Sequence, residues 1–184
     1  VTTAKDGNHG RVVAFGVKTF GCKCQIFIHS QVNTGRQEAM EKLGATVIRI
    51  SGNYDESLRV CKHEASKNHW YIISDTLYKV YTKYPKYTMA GYTVMAQELE
   101  EQLKNKLMPT HIFLQAGVGS FLESICSYFW QKYNSNIKNI IIESELSPGL
   151  IKSAKNNKML SHNITKETII AGLSSTRSTS MAAA

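Results

Sequence analysis

The chain has no uninterrupted apolar run of the roughly 18 residues a membrane-crossing helix needs, and no charged-then-apolar leader of the secretory kind. Neither a membrane protein nor a secreted one is expected from it. Cysteine is scarce as well: Cys22, Cys24, Cys61 and Cys126 are too few and too scattered to frame a disulfide scaffold, so a reducing, cytoplasmic setting is the expectation. Cys22 and Cys24 would need further ligands to hold a metal, and no second paired motif supplies them, so no metal is expected. A dense basic block is missing too. The 22 Lys and Arg outnumber the 14 acids for a net charge of +8, yet the lysines recur singly along helix faces (Lys42, Lys62, Lys67, Lys104, Lys106, Lys132). That is the pattern of solvated helices, and no nucleic-acid partner is expected. No internal repeat is visible.

What the 184 residues do have is a 42% hydrophobic content, enough for a packed core. Short apolar runs alternate with stretches of helical period, which predicts an α/β fold of mainly parallel sheets flanked by helices. Strands are expected at 25–29, 46–50, 71–74, 111–115 and 139–143, and helices at 9–20, 34–43, 55–68, 88–106 and 121–133. Gly21 and Gly44 stand where helix C-caps belong. Val1-Thr2-Thr3-Ala4 reads as the end of a strand whose beginning is missing, and 174–184 turns abruptly to small polar residues, as in a truncated or disordered tail. Pro85 breaks the rhythm, allowing a helix only from about its own position onward. The lobe boundary is placed after that helix, giving a smaller α/β lobe at 1–106 and part of a larger lobe at 107–173.

Two glycine-bearing turns, Asp6-Gly7-Asn8-His9-Gly10 and Ala116-Gly117-Val118-Gly119-Ser120, each fall between a predicted strand and a predicted helix. Such a turn points the unpaired N–H groups of a helix start outward, a natural cradle for phosphate or carboxylate, and in open sheets ligands gather at the carboxyl ends of strands. A lone Gly-x-Gly is more often an ordinary turn. Asp6 and Asp75 both follow expected strand ends; each suits a general base, or a helix cap for Asp6 and an Asx turn for Asp75.

Taken with Lys42-Leu43-Gly44-Ala45, Asn53-Tyr54-Asp55, Asp75-Thr76, Tyr81-Thr82-Lys83-Tyr84-Pro85 and Pro109-Thr110-His111, these turns make residues 1–173 resemble the diaminopropionate ammonia-lyases. Those are pyridoxal-phosphate enzymes of fold type II, the group of threonine dehydratase and the tryptophan synthase β subunit. The resemblance implies two lobes with pyridoxal 5'-phosphate in the cleft between them. It further implies a homodimer that cleaves a small amino-acid substrate, 2,3-diaminopropionate, to pyruvate and ammonia. By the same resemblance Asn8 would hydrogen-bond the cofactor's ring hydroxyl, the alternative being a turn residue tolerant of left-handed geometry. Gly117, Val118, Gly119 and Ser120 would hold its phosphate. Asp6 and Asp75 would be bases on opposite faces, serving the two substrate enantiomers. His9 would move protons or bind the substrate carboxylate, or merely pack and hydrogen-bond.

The match has gaps. The family's cofactor-bearing lysine lies ahead of the Asp6 turn, outside these residues, and Lys5 is a poor substitute, so the chain alone is expected to be inactive. Phe121-Leu122-Glu123-Ser124 replaces a small, glycine-rich continuation and brings a negative charge near the phosphate turn. A serine or threonine dehydratase and a non-catalytic α/β binding module stay open as alternatives.

Overall fold

The computed structural model describes residues 1–76, 81–158, 160, 170 and 173; the expected tail at 174–184 lies outside them. The chain divides into two compact units, Val1–Ser74 and Asp75–Ala184.

In the first unit the elements run β1 (Thr2–Thr3), α1 (Asn8–Thr19), β2 (Gln25–His29), α2 (Thr34–Glu41), β3 (Thr46–Ile50) and α3 (Tyr54–Asn68). The strands pair in parallel in the order β1-β2-β3, with Thr2 opposite Gln25 and Ile28 opposite Arg49. β2 is the core strand, and its alternation works in two directions. Ile26 and Ile28 face a cluster with Val13, Ala14 and Val17 of α1 and Met40 of α2, while Phe27 faces Cys61 of α3 together with Ile48, Leu58 and Trp70. Both faces of the sheet are covered, as a parallel sheet requires. α1 buries Gly10, Val13, Ala14 and Val17, one stripe at helical spacing. Gly21 and Gly44 close α1 and α2 with left-handed φ of 66° and 88°, the conformation glycine adopts without strain.

The strand expected at 71–74 shrinks to a single bridge, Ile72 beside Thr2, flanked by hydrogen bonds from Thr2 N to Tyr71 O and from Ile73 N to Thr2 O.

The second unit contains α4 (Lys83–Leu103), β4 (His111–Gln115), α5 (Ser120–Tyr133), a short 3-10 turn, β5 (Lys138–Ile142) and α6 (Gly149–Lys155). β4 and β5 form a parallel pair in register from His111–Lys138 to Gln115–Ile142. Leu114, Ala116, Leu122, Ile125, Phe129, Ile137 and Leu150 make its core. α4 starts at Lys83, five residues before the expected start. Pro85 is its third residue, where a missing N–H costs nothing because first-turn N–H groups have no intrahelical acceptor. α4 packs on α5 through Tyr92 against Phe121, ring centroids 5.4 Å apart, and through the Glu100 carboxylate, which accepts from Tyr128 and Tyr133 hydroxyls and from Lys132. It falls in the second compact unit. Among the described residues no helix is long and apolar enough to cross a membrane.

Candidate active site

In the first unit a four-residue turn leads from the carboxyl end of β1 to the start of α1. Gly10 sets how closely they approach. A Cβ there would collide with the Lys5 carbonyl oxygen and stand 2.8 Å from Met40 Sδ on α2, so the close approach needs glycine.

Gly7, not Asp6, is the N-cap of α1, and among the described residues the Asp6 carboxylate accepts from no N–H of that helix, which removes its capping reading. Instead Asp6 Oδ2 accepts a hydrogen bond from Arg36 Nη1 at 2.7 Å. Arg36 lies in the first turn of α2, whose start is held by Asn33 Oδ1 accepting from Gly35 N at 2.8 Å. Asn8 is the first helical residue, exposed and not left-handed, so its alternative role as a left-handed turn residue falls away. Its carboxamide makes no hydrogen bond among the described residues. His9 Nε2 lies 3.1 Å from Ile73 O. A carbonyl only accepts, so Nε2 carries the proton, and the half-buried ring ties α1 to the segment beside β1. The first unit thus brings Asp6, Asn8 and His9 together and adds Arg36, which sequence reasoning missed.

The second unit builds the other turn. β4 ends at Gln115 and α5 begins at Ser120, with Ala116 buried, Gly117 and Val118 half-buried, and Gly119 buried at a left-handed φ of 112°. Among the described residues no side chain caps α5, so the N–H groups of its first turn are open to an external acceptor at the positive end of the helix. Ser120 Oγ donates to the Asp75 carbonyl at 3.4 Å, which brings Asp75 to this turn. The Asp75 carboxylate accepts the Thr76 hydroxyl at 3.2 Å. Glu123, in the first turn of α5, makes its charge felt at Cys126: burial, with Glu123's charge adding, pushes that thiol up to about 11. A cleft of about 380 Å³ at the end of α4 is lined by Glu100, Leu103, Lys104, Met108 and Tyr133, and none of Asp6, Asn8, His9, Asp75 and the residues 117–120 lines it.

A family model described as pyridoxal-phosphate dependent enzyme matches residues 1–184. The chain belongs to that family. It is 38% identical over 176 residues to the diaminopropionate ammonia-lyase of Salmonella typhimurium, covering 93% of this chain and 44% of that protein. Two solved structures of diaminopropionate ammonia-lyase from Escherichia coli also match, one in complex with D-serine and one with an aminoacrylate-PLP azomethine reaction intermediate. Each has a TM-score of 0.89 and 31% identity over 99% of this chain and 46% of that one. The chain thus spans less than half the length of these diaminopropionate ammonia-lyases, and its α/β architecture is that of the fold type II pyridoxal-phosphate enzymes.

The donors on display suit this family's cofactor in kind. The uncapped start of α5 behind Gly117, Val118 and Gly119 supplies backbone N–H groups of the sort a phosphate accepts from, and Asn8 has an unengaged carboxamide of the sort a ring oxygen accepts from.

Proposed function

We propose that the full-length protein of which this chain is part carries out pyridoxal-phosphate-dependent α,β-elimination on 2,3-diaminopropionate, giving pyruvate and ammonia. The observation that carries this reading is the 38% identity to the Salmonella typhimurium enzyme over 93% of the chain. The D-serine complex of the Escherichia coli relative supports a small amino acid as the substrate class. Bound pyridoxal phosphate would supply the electron sink that makes the substrate α-proton acidic.

The rest of the work falls to the chain's own side chains and backbone. Gly117, Val118, Gly119 and Ser120 hold the phosphate through N–H groups and the helix start. Asn8 donates to the ring oxygen. Asp6 and Asp75 take the α-proton, one for each enantiomer, and His9 orients the substrate carboxylate. In this reading the cofactor-binding function of the larger lobe begins at residue 107, and the protein works as a cytoplasmic homodimer.

The test is product analysis on the full-length protein with each enantiomer of diaminopropionate, D-serine and threonine, beside an absorption spectrum with and without borohydride. Pyruvate and ammonia from diaminopropionate with a borohydride-sensitive visible band is the expected result. Ammonia from threonine or serine but not from diaminopropionate would make the protein a dehydratase, and no visible band would make it a non-catalytic module.

A further inference from the structure

We propose that Arg36 is the positioning residue of Asp6, gripping one carboxylate oxygen and leaving the other for proton transfer; this rests on the reading of Asp6 as a base. The pairing is one-handed. Arg36 Nη1 reaches Oδ2 at 2.7 Å, and Oδ1 has no partner among the described residues, whereas a two-pronged guanidinium grip would occupy both oxygens.

The grip follows from how the helices meet. Met40 is fully buried and lies against Gly10, and Arg36 stands one turn earlier on the same face of α2, so the contact that seats α2 on α1 also brings the guanidinium to residue 6. α2 is itself braced from β3. Arg49 donates to Gln37 Oε1 and to the Ser30 carbonyl, both at 2.7 Å, and Gln37 donates to Glu41 at 2.8 Å. With the Arg36 side chain 47% exposed and that of Asp6 29%, such a pair adds little to stability, so orientation is its main effect.

The test compares wild type, Arg36→Gln, Arg36→Lys, Asp6→Asn and the Asp6→Asn/Arg36→Gln double variant in the full-length, cofactor-loaded protein with both enantiomers. For the enantiomer that Asp6→Asn disables, Arg36→Gln should lower kcat by about ten- to a hundredfold at nearly constant KM, the cost of a misplaced base. The other enantiomer should be turned over as by wild type. Arg36→Lys should recover part of the loss, because it keeps the charge without the planar fork. The double variant should be no slower than Asp6→Asn alone. Equal losses for both enantiomers would make Arg36 a structural residue, and a rise in KM for both would make it a substrate-carboxylate binder; either overturns the proposal, as does no effect.

An arm independent of turnover follows the Asp6 carboxyl carbon by 13C NMR, assigned through Asp6→Asn. It should move in Arg36→Gln, and an unmoved resonance rejects the pair. Wild type inactive on both enantiomers would overturn the lyase reading, and with it Asp6 as a base, while this NMR arm would still decide whether Arg36 holds the carboxylate.

Discussion

Alanine at Gly10 should destabilise the first unit even though alanine is the better helix former. The intrinsic gain inside a helix is about 1 kcal/mol. Against it stands the new methyl group, which would overlap the Lys5 carbonyl oxygen and lie 2.8 Å from Met40 Sδ. A methionine can swing aside, but a backbone carbonyl inside a four-residue strand-to-helix turn cannot, so the overpacking cost belongs at the upper end of the usual range, about 3 kcal/mol. The net loss is then about 2 kcal/mol.

Gly16 in the same helix supplies the opposite case. Beyond its own helix backbone and chain neighbours, no atom of the described residues lies within 4 Å of its would-be Cβ, so Gly16→Ala should stabilise by about 0.5–1 kcal/mol. Urea unfolding followed by circular dichroism reads both. Gly10→Ala as stable as wild type, or Gly16→Ala less stable, would refute the claim that close approach at residue 10 governs how α1 meets α2.

Two other outcomes follow from ionisable groups. Hydrogen bonds from Lys132, Tyr128 and Tyr133 hold the Glu100 carboxyl at about 2, below its ordinary 4.5. Because the folded value is the lower one, this contribution is complete above pH 4.5 and fades as pH falls toward 2. The melting-temperature gap between wild type and Glu100→Gln should narrow over that window, and a gap unchanged with pH would refute the assignment. Among the cysteines Cys22 is exposed while Cys24, Cys61 and Cys126 are buried, with their thiols pushed up by that burial. A disulfide reagent at pH 8 should label Cys22 alone in the native chain and all four cysteines after unfolding; fast native labelling of any of the other three would contradict the packing.

The strands at Gln25–His29, Thr46–Ile50 and His111–Gln115 were legible because short apolar runs between turn residues are what a parallel sheet needs, and both glycine turns do follow strand ends. What failed to show in the sequence depends on partners far along the chain. The 71–74 run has strand composition, but it makes only the Ile72 bridge to Thr2. α6 escaped notice because it is short and its start is held by Glu143, whose carboxylate accepts from Leu150 N and Ile151 N at 2.7 and 2.8 Å. That same capping role falls where a strand ending had been expected. Arg36 looks like any exposed helix cation, and only packing through Met40 and Gly10 shows that it faces Asp6, 30 residues away. Ser120 reaching the Asp75 carbonyl is likewise invisible to local pattern.

Thr2 has Gln25 on one side and Ile72 on the other, so the opening residues form an interior rail of their sheet. During synthesis on the ribosome the Gln25 flank follows once α1 has been made, yet the Ile72 flank arrives only after α1, α2 and α3. Until then one edge of Thr2 stays open to stray pairing, and such long-range closure is slow. The early residues of this unit are therefore where a chaperone, or a competing strand from another copy, would find its opening.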